Sequence, residues 1–220
     1  MPSSRPDHIP LVIGIVRQLR PRSILELGVG FGKWGHLFRE YTDIVAAEAD
    51  PPRYRRENWR VRIDGIEGHG SYITPAHEYL YDRIMVGDMR EVIHRVGRYD
   101  LVFLGDSLEH VTKHDGRELL QACLDHADLA VLVTTPARAT GQQAACGNAL
   151  EVHRSQWQAA DFAGLGRCLT CLAPGKTLLA LLLKPGVPAP QIEVRHHRRP
   201  WLRRAGRLVY QAISGRRESW

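Results

Sequence analysis

The chain has 220 residues, of which 44% are hydrophobic and 25% are charged, and its net charge is +6. This size and composition are typical of one soluble globular domain with a full core, and the apolar runs are too short to span a bilayer. The first ten residues, MPSSRPDHIP, lack the apolar region of a secretory signal, so we expect a cytoplasmic protein.

The charge excess lies in the C-terminal tail. Residues 187–220 contain eight arginines and two glutamates, which accounts for the whole +6 and leaves residues 1–186 neutral. We therefore expect a domain over residues 1–186 without a nucleic-acid surface, followed by a basic tail. From Trp201 the apolar residues of the tail recur at helical spacing, which predicts an amphipathic helix. Its candidate roles are docking on the domain or on a second subunit as a homodimer, peripheral membrane contact, and nucleic-acid binding.

The first predicted elements are a helix and a strand. Apolar residues recur at helical spacing over Ile9 to Leu19, and the pattern ends at Pro21. Ser23 to Leu27 is a short apolar run between this proline and a set of glycines, as expected of a buried parallel strand. After the glycines, a second helix is predicted over Trp34 to Tyr41.

The turn after the first strand has the pattern E-x-G-x-G-x-G. It consists of Glu26, Gly28, Gly30 and Gly32. The glycines let the backbone turn tightly and approach a ligand closely, and Glu26 could accept a hydrogen bond from a cationic amine. The spacing differs from the G-x-G-x-x-G of dinucleotide-binding folds and resembles motif I of the class I S-adenosylmethionine-dependent methyltransferases. This resemblance implies S-adenosylmethionine as the cofactor.

The second strand should end in the acid that binds the ribose of the cofactor. Two stretches compete for it: Asp43 to Asp50, which offers Glu48 or Asp50, and Arg60 to Glu67. We favour Glu67, because 21 residues separate it from the next strand-end acid, Asp88, enough for one helix and one strand. Asp50 would leave 38 residues to fill.

The resemblance assigns roles to the residues at the end of the third strand. In the methyltransferase family, an acid placed like Asp88 contacts the adenine amino group, with the backbone of the next residue, here Met89, beside it. Asp106, at the end of the fourth strand, lies at the same edge of the predicted sheet and is a further candidate for cofactor binding.

The remaining elements alternate between strands and helices. They are a strand over Tyr99 to Leu104, a helix near Gly116 to Leu124, a strand over Leu129 to Thr135, a helix capped by Ser155, and strands over Cys168 to Leu172 and Thr177 to Leu183. The pattern predicts an α/β fold, a Rossmann-like three-layer αβα sandwich with a seven-stranded, mostly parallel sheet and a C-terminal antiparallel hairpin. The methyltransferase resemblance covers about residues 20–185.

A second motif, D-x-x-E-H, follows the fourth strand. It places Asp106, Glu109 and His110 on one face if a helical turn begins there. The motif resembles the E-x-x-E-H that ligates a metal in small-RNA 2′-O-methyltransferases and in ubiquinone-pathway O-methyltransferases. By that resemblance His153 completes a site for Mg²⁺ or Mn²⁺, and Asp106, His110 and His153 are the catalytic candidates. The alternatives are a metal-free pocket shaped by these residues and a histidine acting as general base.

Other candidate residues carry weaker signals. His69, in a loop after the ribose acid, is a candidate for the pocket edge, but we favour a solvated loop histidine. Glu151 could orient His153 or be a plain surface acid, and the sequence favours neither. The C-x-x-C pair has no second pair to complete a zinc site, so the four cysteines are interpreted as structural thiols. The histidine pair at residues 196–197 lies in the tail and is not a predicted ligand.

The leading functional hypothesis is an O-methyltransferase. A metal that chelates adjacent oxygens favours a vicinal diol, so the predicted acceptor is a small polyhydroxylated molecule, a sugar or oligosaccharide such as a methylated mannose oligosaccharide. The alternatives are an RNA methyltransferase, motivated by the same motif and the basic tail, and a non-catalytic adaptor that retains the fold.

Overall fold

A computed structural model describes residues 5–138, 141–144 and 147–192 of the chain. The predicted tail helix from Trp201, the histidine pair at 196–197 and Cys146 lie outside the described residues. No helix in the described part is long and apolar enough to cross a membrane.

The centre of the domain is a seven-stranded sheet with the order β3-β2-β1-β4-β5-β7-β6. The strands are β1 (Ser23–Leu27), β2 (Arg62–Glu67), β3 (Arg83–Val86), β4 (Tyr99–Gly105), β5 (Ala127–Pro136), β6 (Arg167–Ala173) and β7 (Thr177–Leu183). The first five strands pair in parallel, whereas β7 runs antiparallel to both β5 and β6. The predicted mostly parallel sheet with a C-terminal antiparallel hairpin is confirmed.

Helices cover the sheet. They are α1 (Ile9–Leu19), α2 (Lys33–Arg39), α3 (Pro75–Leu80), α4 (Met89–Val92) and α5 (Lys113–His126). The buried apolar residues form two clusters, one on each side of the sheet. Cys168 packs against one cluster and Cys171 against the other, because residues three apart on a strand face opposite sides. The C-x-x-C pair therefore does not converge on one point, in line with structural thiols.

The segment between α2 and β2 is anchored by a buried ion network. Residues 40–58 form a π-helical turn and three short 3₁₀ turns. The Asp43 carboxylate is fully buried and accepts hydrogen bonds from the guanidinium of Arg39 at 2.7 Å, from the backbone amide of Arg60 at 2.8 Å, and from Arg53. The Arg39 guanidinium also lies 4.3 Å from the ring centre of Trp59. These contacts fix the chain as it enters β2.

The predicted helix after Ser155 is wrong. Residues 152–158 form no regular element, and a single 3₁₀ turn follows at Ala159–Phe162. The Ser155 hydroxyl accepts a hydrogen bond from the indole N–H of Trp157 at 2.8 Å, and so it does not cap a helix. Because Trp157 is fully buried against Gly116 of α5, its packing overrides the local capping signal.

Candidate active site

A cavity of about 780 Å³ opens at the carboxyl end of the parallel strands. Its walls come from the glycine loop after β1, the ends of β2 and β4, the start of α4, and described residues between Arg138 and Arg154. In open α/β sheets this edge is where ligands bind. The topology therefore brings most of the predicted site residues to one cavity.

Positive backbone angles explain the glycine loop. Gly28, Gly30 and Gly32 have φ values of 81°, 55° and 78°. A Cβ atom on Gly28 would lie 2.8 Å from the Cβ of Ser107, too close for any real contact. Ser107 lines the cavity, and its buried Oγ has no hydrogen-bond partner among the described residues. The absence of a side chain at Gly28 thus lets the loop backbone lie against Ser107, whose hydroxyl can bond to a ligand in the cavity.

Glu67 ends β2, as predicted, and holds the glycine loop from the side. One carboxylate oxygen accepts a hydrogen bond from the Gly30 amide at 2.8 Å, and the other accepts one from the His69 amide at 2.7 Å. Each oxygen can accept a second hydrogen bond, and Glu67 lines the cavity. The rival acid, Asp50, precedes a 3₁₀ turn and forms an ion pair with Arg60 at 2.7 Å.

Glu26 lies beneath the glycine loop and does not line the cavity. Its side chain is fully buried, and it accepts a hydrogen bond from the Tyr81 hydroxyl at 2.7 Å, while that hydroxyl accepts one from the Gly35 amide. Burial raises the pKa of Glu26 to about 8, mainly because the charged form loses its hydration. Glu26 thus supports the loop through Tyr81, and its contact with a cationic amine stays a prediction.

Asp88 and Met89 both line the cavity, at the point where α4 begins. The Asp88 carboxylate accepts hydrogen bonds from the backbone and the guanidinium of Arg90, which hold its pKa below the usual range. Arg90 is also paired with Asp115 at 2.9 Å, so the acid is fixed in position.

The predicted metal ligands come together only in part. Glu109, His110 and His153 each offer one ligand atom, and these atoms lie within 4.8 Å of one another. The backbone carbonyl of Glu109 accepts hydrogen bonds from the amides of Arg154 and Ser155, at 2.8 and 3.1 Å, which brings His153 to the 3₁₀ turn at Leu108–His110. The imidazole rings of the two histidines meet edge to face, 4.9 Å apart.

Burial sets the protonation of this group. The pKa of His110 is lowered to about 4 by desolvation and by the neighbouring His153, so its ring is neutral near pH 7. The carboxyl of Glu109 accepts a hydrogen bond from the Thr135 hydroxyl, and desolvation raises its pKa well above the usual range. Neutral imidazole is the form that ligates metals.

Asp106 does not belong to this group. Its φ is 52°, and the 3₁₀ turn begins two residues later, so Asp106 is not on the predicted shared helical face. Its carboxylate instead lies 3.9 Å from Nε2 of His8, although it still lines the cavity. The expected shared helical face is therefore wrong, because the backbone turns before the helical turn starts. The charge of Asp106 still acts on Glu109 and His110, and its role as a metal ligand stays a prediction.

Sequence reasoning missed His8. This residue is fully buried, and its ring is tilted by 34° against that of Trp34, with 5.5 Å between the ring centroids. Its Nε2 has no hydrogen-bond partner among the described residues. Desolvation lowers its pKa despite the nearby Asp106. No motif surrounds His8 in the sequence, and only its place just before α1 could have drawn attention to it.

Glu151 and His69 are likewise settled by position. Glu151 is buried and lines the cavity, and it accepts a hydrogen bond from the Gln142 amide at 3.0 Å. Burial raises its pKa. His69 packs its ring against Tyr72, at 4.7 Å between centroids. Gln142 also donates to the backbone carbonyl of Glu151, and so it fixes the segment that carries the second histidine.

No protein-family profile and no curated protein sequence matches the chain. Solved structures do. A putative O-methyltransferase from Nostoc punctiforme PCC 73102 aligns at 15% identity and a TM-score of 0.52, over 80% of this chain and 55% of that one. PigF with SAH aligns at 15% identity and a TM-score of 0.53, over 81% of this chain and 55% of PigF. The methyltransferase domain of bacterial CtHen1-CN aligns at 13% identity and a TM-score of 0.51, over 81% of this chain and 98% of that domain.

These likenesses establish the class of fold. The chain spans about half the length of the Nostoc protein and of PigF, and nearly the whole CtHen1-CN domain. The described domain is an αβα sandwich with its ligand cavity at the carboxyl edge of the sheet. It is the fold of the class I S-adenosylmethionine-dependent methyltransferases.

Proposed function

We propose that the protein is an S-adenosylmethionine-dependent O-methyltransferase. The observation that carries this proposal is that the glycine loop with Glu67, and the group formed by Glu109, His110 and His153, open into one cavity. The first set matches what an adenosyl ligand needs, and the second matches what a reacting hydroxyl needs. A methyl transfer requires both within one space, because the sulfonium and the nucleophile must be in line.

The cofactor half is supported by the chemistry of its wall. The free lone pairs of Glu67 suit the two ribose hydroxyls, and the fixed carboxylate of Asp88 suits an exocyclic amine. The glycine loop lets its backbone come close to a ligand, and the unpartnered hydroxyl of Ser107 lies next to Gly28 of this loop. SAH is also the ligand of PigF, a protein of the same fold.

The residues present fit a divalent metal, with a preference that differs from the one expected from sequence. Without Asp106 the donor set is two imidazoles and one carboxylate. Imidazole suits Zn²⁺, Fe²⁺ and related ions better than Mg²⁺, so of the two predicted ions we favour Mn²⁺. Bound beside an acceptor hydroxyl, such an ion would lower the pKa of that hydroxyl. Glu109 would then be held as the carboxylate, and Thr135 would orient it.

For the acceptor we propose a small polyhydroxylated molecule, a sugar or oligosaccharide. Adjacent hydroxyls are the group that a single open metal site can chelate, and the buried Glu151 with Gln142 offers further acceptors and donors beside it. RNA remains the second candidate, because a 3′-terminal ribose carries the same diol. The cytoplasmic location, the homodimer and the membrane contact of the tail stay predictions.

Calorimetry with S-adenosylhomocysteine tests the cofactor claim. We expect the wild type to bind, and Glu67→Ala to bind between about 10- and 100-fold more weakly, since hydrogen bonds to a charged acceptor contribute about 1.5–3 kcal/mol. Asp50→Ala is the matched control, because it removes the rival acid and an exposed ion pair outside the cavity. Absence of binding by the wild type would refute the proposed function.

A further inference from the structure

A second cavity of about 270 Å³ adjoins the first on the acceptor side. The two cavities share Glu109 and His153 in their walls, together with Arg138 and Arg154. A molecule whose hydroxyl lies at the metal-ligand group would therefore extend toward these two arginines.

The two arginines differ from the others that line the main cavity. Arg5 lies 3.8 Å from Asp7, and Arg90 is paired with Asp88 and Asp115. Neither Arg138 nor Arg154 has a carboxylate within 4 Å among the described residues. Both exposed arginines thus line this end of the cavity, and the described part of the chain supplies no carboxylate partner to either one.

The backbone on which these side chains stand is fixed at both places. The amide of Ala137 donates to the carbonyl of Lys176 at 2.9 Å, next to Arg138, and the side-chain amide of Gln156 donates to the carbonyl of Ala137 at 3.3 Å. The Arg154 amide donates to the carbonyl of Glu109 at 2.8 Å. The backbone positions from which the two side chains extend are therefore fixed relative to Glu109.

We propose that Arg138 and Arg154 form an anion subsite, which binds the phosphate of a phosphorylated polyhydroxylated acceptor. This inference rests on the proposed function, since it names the class of its acceptor. Guanidinium groups present paired donors that match phosphate oxygens. Two cations match the dianion of a phosphomonoester better than the single charge of a carboxylate or of each phosphodiester in RNA. The volume of the second cavity accommodates a group of this size.

The test is the binding of D-ribose 5-phosphate and of D-ribose to the full chain, saturated with S-adenosylhomocysteine and kept in EDTA. The variants are Arg138→Gln/Arg154→Gln and the control Arg17→Gln/Arg55→Gln, which removes the same charge from exposed positions outside both cavities. We expect the first double variant to lose at least tenfold in affinity for the sugar phosphate, and the control to change less than twofold. Binding of unphosphorylated ribose should be the same in all three proteins.

Equal affinity of the wild type and Arg138→Gln/Arg154→Gln for the sugar phosphate would overturn the subsite. So would a loss confined to a short RNA oligonucleotide, because the anion would then be a phosphodiester. The affinity for S-adenosylhomocysteine is measured in the same samples, and we expect the double variant to retain it within twofold. Cofactor binding without phosphate discrimination therefore rejects the subsite alone, whereas no cofactor binding rejects the proposed function.

Discussion

The buried carboxyl of Glu26 makes the stability of the protein depend on pH in a defined direction. Its pKa is about 8 in the folded protein, against an ordinary value of 4.5. Between these values the folded state holds a proton that the unfolded chain has released, so the free energy of unfolding falls as the pH rises. Glu26→Gln keeps the shape of the side chain but cannot ionise. We therefore expect it to remove this part of the pH dependence.

The size of the effect follows from the interval between the two pKa values. The difference between 4.5 and about 8, at 1.36 kcal/mol per pH unit, sets a limit of roughly 5 kcal/mol. Since buried sites relax and admit water, we expect about half of this limit. Below pH 4.5 the two proteins should differ little, because the wild-type carboxyl is then neutral in both states. Above pH 8, Glu26→Gln should be the more stable protein relative to that baseline.

Urea unfolding of the cofactor-free protein at several pH values from 4.5 to 9 measures this difference. Glu48→Gln is the matched control, because it removes one carboxylate from an exposed position. A constant difference between Glu26→Gln and the wild type across the whole range would show that burial does not hold the proton on Glu26. A difference of the opposite sign would refute the reasoning in the same way.

Two further predictions concern other parts of the molecule. Asp43→Ala should lower the free energy of unfolding in urea by up to about 3–5 kcal/mol, because it removes the buried carboxylate that Arg39 and Arg53 share and leaves Arg39 only its contact with Asp82 among the described carboxylates. Asp50→Ala should cost less than about 1 kcal/mol, and equal losses would contradict the role of the buried network. His153→Ala should reduce turnover by about 100-fold or more and leave the affinity for S-adenosylhomocysteine unchanged. His94→Ala, at an exposed position, is the control. EDTA should abolish the turnover of the wild type until Mn²⁺ is added. Full activity in EDTA would remove the metal and leave methyl transfer standing.

The wall formed by the glycine loop, Glu67 and Asp88 could be predicted from sequence, because its signals are local. A strand, a glycine turn and an acid at the next strand end are each encoded within a few residues, and the count of residues between Glu67 and Asp88 decided the second strand. The wall that carries His153 was harder to predict. The described part of residues 137–158 forms only one 3₁₀ turn, and its placement depends on contacts with residues distant in sequence. His153 was reached only through resemblance.

The two errors have the same origin. The helix after Ser155 was inferred from a capping signal, yet the burial of Trp157 redirects that hydroxyl. Asp106 was placed by helical spacing, yet its positive φ removes it from the turn that carries Glu109. In both cases the local pattern was correct as a tendency, and a tertiary contact or a backbone angle invisible to periodicity prevailed.

The two walls of the main cavity are held in place in different ways, and the backbone carbonyl of Glu109 connects them. The glycine loop directly follows one strand of the sheet, and Glu67 ends another. The wall that carries His153 is instead held by hydrogen bonds from the amides of Arg154 and Ser155 to that carbonyl. Gln142 ties the same segment a second time, because its backbone carbonyl accepts from the His153 amide at 3.2 Å and its side chain donates to Glu151. Under the proposed function, a change near His153 and Arg154 would therefore alter the wall beside the acceptor, while the strand and glycine loop that form the other wall keep their own support.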